Sequence, residues 1–340
     1  MSETLADRCS YGFRRGRSAQ DAIAACFQAL CQRVSAEWIL EGDIRGCFDH
    51  LAHDWLVEQV STEKGKLRAW LKAGYLERGM FHPTAEGTPQ GGIISPTVAN
   101  MALDGLQQHL QGCCKGRCKV NLVRYADDFV LTGVSRALLE DEVQPLVVRF
   151  LAERGLELAE EKTRIVHIDE GFDFLGFNVR KYHGKLLIKP APSSIAAVKE
   201  KVGEIFGTGK TLPQGVLIRR LNPVIRGWGN YYRHVVSKEV FNDIDHAIWR
   251  MTWNWATRRH PQRARKWVKD RYYAHTEGCD WVFTDGSLDL FRMLSLPIRR
   301  HQLIRGASNP YDPAHASYFA ARRARQRNEA PATPPAWLFL

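Results

Sequence analysis

No apolar run in this 340-residue chain approaches the ~20 residues that cross a bilayer, and its N-terminus has no apolar core of a secretion signal. A protein of the cytoplasm with no membrane partner is expected. C-x-x-C pairs are missing too: the eight cysteines stand singly or side by side. That excludes a disulfide framework, and without a secretion signal the thiols are expected to be reduced. His109, Cys113, Cys114 and Cys118 are four candidate zinc ligands, but adjacent cysteines reach one ion poorly, and a basic loop is the competing reading. Acids are scarce in two places. Residues 258–273 hold seven Lys/Arg against one acid, and residues 291–327 hold eight Arg against Asp312 alone. The whole chain carries 48 basic and 37 acidic residues, a net charge of +11. A polyanionic partner follows, with an expected location beside the nucleoid. Ten Trp lie scattered among the basic residues, which suits base stacking as well as core packing.

What is present is a globular composition, 44% hydrophobic and 25% charged, with length for two or three domains. Within it, Tyr125-Ala126-Asp127-Asp128 sits between the apolar runs Leu122-Val123 and Phe129-Val130-Leu131. Neighbouring side chains on a strand leave on opposite faces, but a tight turn breaks the alternation and aims both carboxylates at one spot. Like charges held together keep a proton unless a cation stands beside them. Asp43 follows another apolar strand, Trp38-Ile39-Leu40-Glu41-Gly42. Three acids at strand ends suit a pair of Mg²⁺ ions about 4 Å apart, the arrangement that clamps phosphoryl transfer. Alone, Asp127-Asp128 also reads as an ordinary hairpin turn.

Periodicity predicts a helix over Ser18–Val34, a strand over Trp38–Ile44, a helix over Ser95–Leu110 and a hairpin over Val120–Thr132. A third helix turns Leu139, Val143, Leu146, Val147 and Phe150 to one face and ends near Gly155, before strands at 163–168 and 172–179. This is an α+β pattern with an antiparallel sheet. After Lys185 the chain is broken by Pro190 and Pro192, linked through Gly203 to Gly215, and read as helix beyond. Ile218, Leu221, Ile225, Trp228 and Tyr232 form one apolar stripe, and Val240, Ile244, Ile248 and Trp255 another.

Five motifs stand in one register: Tyr11-Gly12-Phe13-Arg14, Asp43 through His50, Gly87 through Pro96, Tyr125-Ala126-Asp127-Asp128, and Phe174-Leu175-Gly176-Phe177. Together they resemble the palm of group II intron reverse transcriptase/maturases, from about Ser10 to Tyr318. The resemblance implies a right-hand polymerase: partial fingers at 1–36, palm at 37–184, a helical thumb or maturase domain at 185–300, then a basic segment and disordered tail at 301–340. It implies RNA-directed DNA synthesis with two Mg²⁺ ions on Asp43, Asp127 and Asp128, with the carbonyl of Ile44 as a backbone ligand. Arg14, Phe48, Gln90, Gly91 and Lys162 would contact the nucleotide, Phe48 selecting dNTP by clashing with a 2′-hydroxyl. Phe48 as a core aromatic and Lys162 as a solvated surface lysine are the plainer readings. Phe174, Leu175 and Gly176 would form the primer grip. The motif Gly227 through Arg233 and the residues Arg258, Arg259, Arg263 and Lys266 would bind RNA, with Trp249 and Trp253 in the core.

Implied partners are group II intron RNA, an RNA template with a DNA primer, and dNTPs. Family members carry a long fingers segment before Tyr-Gly-Phe-Arg, where ten residues stand here. A separate fingers-supplying polypeptide or a homo-oligomer is the expected remedy. Arg15 departs from the pattern, which has proline there, and no paired cysteines mark an endonuclease domain. A non-catalytic RNA-binding splicing maturase and an inactive truncated remnant are the alternatives.

Overall fold

A computed structural model describes residues 2–60, 62–77, 80–82, 86–88, 92–113, 118–276 and 279–328. The chain divides into two compact units: the first holds 1–174, 179–186 and 301–322, the second 175–178, 187–300 and 323–340. Among the described residues no helix is long and apolar enough to cross a membrane.

The first unit is built on a four-stranded antiparallel sheet in the order Leu122–Tyr125, Asp128–Gly133, Trp38–Gly42, Arg164–His167. Side chains alternate across it. Leu40, Leu122, Phe129 and Leu131 enter a core shared with Leu139, Val143, Val147 and Phe150, and with Val98, Ala102 and Leu103. The helix Ala19–Leu30 packs against the strand Leu122–Tyr125 and buries Ile23, Cys26 and Leu30. With both faces covered, the sheet is a rigid base for whatever its strand ends carry. The α+β class is as expected.

Two helices differ from the periodic reading. The stretch expected as one helix is two, Ser95–Leu103 and Leu106–Cys113, because Asp104 turns extended and Gly105 takes φ +96°. The third helix opens as a π-helical turn, Leu138–Val143, before Gln144–Ala152. Pro145 at the start of that second stretch has no N–H to donate, and a widened turn absorbs the missing bond.

The second unit stacks the helices Pro192–Thr208, Gln214–Tyr232 and Lys238–Arg259. Trp228, Tyr231, Tyr232, Phe241 and Ile244 are fully buried between them. The stripe from Ile218 to Tyr232 is internal as predicted, while Phe241, not the half-buried Val240, carries the next one inward. Reading everything beyond Gly215 as helix needs correction at one hairpin, and a strand not foreseen precedes the helices. Lys185–Pro190 is a strand, and Tyr273–Thr276 pairs with Cys279–Phe283 in a hairpin whose alternating Trp281 and Phe283 mark a sheet face. Nor is there a glycine-rich link: Gly203 and Gly207 lie inside Pro192–Thr208, with open space around them, while Val198, Val202 and Phe206 anchor its buried side.

Candidate functional site

The strand Trp38–Gly42 ends at Asp43, and the hairpin turns through Ala126 and Asp127 into Asp128. Gly42 pairs with Phe129, so one step further the register sets Asp43 across from Asp128, on the same face. That register needs a glycine: a Cβ on Gly42 would come 2.3 Å from Cζ of the buried Phe129. Ala126 has φ 57°, in the left-handed region that costs a non-glycine residue energy. The bend takes Asp127 out of the strand alternation.

Lys162 Nζ lies 2.5 Å from Asp43 Oδ2 and supplies the local cation; that hydrogen bond pushes the ammonium pKa up. Burial, and also the charge of Asp43, raises the Asp127 carboxyl above the usual carboxylate range, with its own N–H and Lys162 pulling it back. Burial and then the charges of Asp127 and Asp43 push Asp128 up to about 7. Its side chain also reaches solvent, beside the like charges of Asp127 and Asp43. Behind the acids, Cys47 is pushed up to about 12 by burial first and Asp127 second, and stays a thiol.

The charge of Asp43 raises both Asp127 and Asp128, and like charge crowded in this way is an electrostatic well for a cation. Among the described residues no group of three or more His, Cys, Asp or Glu side chains is placed to hold a metal ion. Mg²⁺ does not require one, since it is commonly held by one or two carboxylates with water and substrate phosphates in the remaining positions. The hard-oxygen donor set fits that mode of binding. The zinc reading fares differently: Cys114 lies outside the described residues, and the ring of His109 packs against Phe150 at 5.6 Å. Cys9, Cys26, Cys31 and Cys47 are free thiols.

The other expected site residues are spread over both units. Ile44 is buried and pairs with Leu158, while the Asp43 carbonyl accepts from the Ala159 N–H at 2.9 Å. Phe48 is half-buried, its ring edge-on to Phe13 at 6.4 Å, and its carbonyl accepts from the Thr88 N–H. That contact ties the turn after Asp43 to the stretch entering Gln90 and Gly91, which themselves lie outside the described residues. Arg14 is buried and already engaged: it pairs with Glu3 at 2.6 Å and donates to the carbonyls of Asp7 and Ser10.

Phe174 belongs to the first unit. Leu175 and Gly176 belong to the second, both at positive φ, with carbonyls that accept from the hydroxyls of Tyr231 and Tyr232 at 3.0 Å. Arg258, Arg263 and Lys266 are exposed. Arg259 is exposed as well and donates to the carbonyls of Lys210 and Leu212, and Arg233 is half-buried with a bond to Asn230. Trp249 and Trp253, expected in the core, are half-buried and stacked at 6.4 Å.

Sequence reasoning missed a polar network under the carboxylate turn. Fully buried Arg124 donates to Asp104, Asn100 and the Ala126 carbonyl. Its signal was a charge in the apolar run Leu122-Val123-Arg124-Tyr125, two residues from core-facing Leu122.

Residues 3–179 match the family described as reverse transcriptase (RNA-dependent DNA polymerase), and residues 195–273 match the group II intron maturase-specific domain. Protein YkfC of Escherichia coli (strain K12) is 30% identical, over 53% of this chain and 58% of that protein. The group II intron-encoded protein LtrA of Lactococcus lactis subsp. cremoris is 28% identical, over 52% of this chain and 40% of that protein. The chain thus spans about half the length of the curated relatives it matches. A solved telomerase from Candida Tropicalis, in complex with a TWJ fragment of telomeric RNA, is 10% identical with TM-score 0.43, covering 77% of this chain and 52% of that one. Since the first of the two family matches takes in more than half of the chain and includes every carboxylate described above, this protein belongs to the reverse transcriptase family, in the branch that carries a group II intron maturase-specific domain.

Proposed function

We propose that the chain is an RNA-directed DNA polymerase of a group II intron, and that its second unit binds intron RNA to assist splicing and mobility. The observation that carries this reading is the register of Gly42 on Phe129, which sets Asp43 opposite Asp128 beside the Asp127 turn. Asp43, Asp127 and Asp128 would hold two Mg²⁺ ions, with the Ile44 carbonyl as a further ligand. Bound there, such ions supply a lowered pKa at the primer 3′-hydroxyl and charge neutralisation on the triphosphate. Lys162, which engages Asp43 here, would leave that carboxylate to a metal ion and supply a cation for phosphate. Phe48 stands five residues beyond Asp43, where a ring would exclude a 2′-hydroxyl, and Gln90 and Gly91 would contact the nucleotide. Arg14 reaches a triphosphate only by giving up Glu3.

The test is primer extension on an RNA template with dNTPs and Mg²⁺. Asp127→Ala is expected to abolish synthesis with RNA affinity nearly unchanged. Lost RNA affinity in that variant would point to misfolding and undo the site assignment. A second reading, an RNA-binding maturase without polymerase activity, is favoured by the separate maturase-specific match at 195–273. Intron binding without any synthesis by the unmodified protein would select it.

A further inference from the structure

Arg124 lies on the core face of the sheet, opposite Phe129 in register, with no solvent exposure. Stability does not explain a charge there, because a buried ion pair can often be replaced by packed apolar groups at no loss. What a guanidinium adds is a rigid fork of donors. One arm, Nη2, donates to Asp104 Oδ1 at 2.9 Å. The other, Nη1, donates to Asn100 Oδ1 at 3.0 Å and to the carbonyl of left-handed Ala126 at 3.2 Å. Asn100 passes the connection on, its Nδ2 donating to the Gly12 carbonyl at 2.9 Å. The Arg124 backbone brackets the same loop, its N–H donating to the Cys9 carbonyl and its carbonyl accepting from Tyr11. Gly12 in turn lies so close to the turn that a Cβ would come 2.4 Å from Ala126 N. Through Asn100, this side chain ties together the Tyr11–Arg14 loop, the helix Ser95–Leu103 and the turn presenting Asp127.

We propose that Arg124, held by Asp104 and Asn100, is a positioning residue that fixes the Ala126–Asp127 turn, and so the aim of the catalytic carboxylates, from inside the core. The proposal rests on the polymerase reading above. Outer-shell supports of a metal site are worth about 10- to 100-fold in metal affinity or activity when removed. The variant that separates aim from stability is Arg124→Met with Asp104→Asn, which removes both buried charges and keeps an acceptor for the Asp7 N–H, 3.2 Å from Asp104.

The readouts are Mn²⁺ binding followed by electron paramagnetic resonance, the kcat and KM of primer extension, and the melting curve. Wild-type protein is expected to bind Mn²⁺ at a site that Asp127→Ala removes. The double variant is expected to melt with the wild type, bind Mn²⁺ about 10- to 100-fold more weakly, and lose kcat by a similar factor at constant template–primer KM. Wild-type Mn²⁺ affinity and kcat in the double variant would overturn the positioning role and leave the carboxylate site standing. Absence of any Mn²⁺ site that depends on Asp127 would instead overturn the polymerase reading, and this proposal with it. Should the double variant melt early, Arg124→Lys makes the same comparison, since it keeps a charge beside Asp104 without the fork. Loss of Mn²⁺ affinity there supports the proposal, and wild-type affinity rejects it.

Discussion

Asp104 carries the acid half of the buried network, and its titration can be followed. Burial, and also the neighbouring Asp7, pushes its carboxyl up to about 6 from 3.8, with Arg124 pulling the other way. A carboxyl raised in the folded state binds its proton more tightly folded than unfolded. Stability from this residue is therefore greatest below the unfolded value and falls as pH rises from about 4 through about 6. Melting curves of wild type and Asp104→Asn across that window should diverge by a few degrees, the wild type losing ground as pH rises. Parallel curves would show that Asp104 is not raised. At this scale the sequence was informative where the chemistry is local. Asp43, Asp127 and Asp128 are legible because each follows an apolar strand or lies in a turn. Arg124 was visible as a charge among apolar residues, but its direction depends on a helix and a loop that come together only in the fold.

Between elements, the site depends on how closely two strands approach. Gly42 leaves space for the Phe129 ring, and any Cβ must displace a side chain that is itself in the core. Gly42→Ala is expected to cost about 1–3 kcal/mol in urea unfolding by overpacking. An unchanged midpoint would mean the strand pair yields freely and does not fix Asp43 against Asp128. In the second unit Arg258, Arg259, Arg263 and Lys266 are all exposed, and since Arg259 already donates to the turn after Pro192–Thr208, the other three are the ones to vary. Replacing those three with Gln should weaken RNA binding and flatten its salt dependence, by roughly 0.7 in the log–log slope for each single-strand phosphate left without its cation. An unchanged affinity and slope would remove this face from the RNA surface. Helix positions came readily from 3.6-residue periodicity. The hairpin at Tyr273–Thr276 and Cys279–Phe283 did not, because its short aromatic strands sit beside basic helical sequence.

Across the first unit, residues 301–322 close on the helix Ala19–Leu30. Fully buried Asp21 accepts from Arg322 at 2.7 and 2.9 Å, from His301 at 2.9 Å and from the Ile304 N–H, while Phe319 is buried over Gly16. Residues 301–322 are thus part of the compact unit that holds the carboxylates. Composition showed only the scarcity of acid there; a contact between residues 301 positions apart has no local signature. Asp21→Ala strips the partner from a buried guanidinium and should cost about 3–5 kcal/mol, with proteolysis opening the 301–322 segment first. A loss near zero would mean this clasp is dispensable.

The central claim is that a register-set cluster of Asp43, Asp127 and Asp128 polymerises DNA on RNA. Its most direct test is single-turnover primer extension on an RNA template, comparing wild type with the isosteric variant Asp43→Asn at matched melting temperature. Synthesis by the wild type that falls to background in Asp43→Asn is the predicted result. Equal synthesis by both proteins would contradict the account, because the acid facing Asp128 would then play no part in the chemistry.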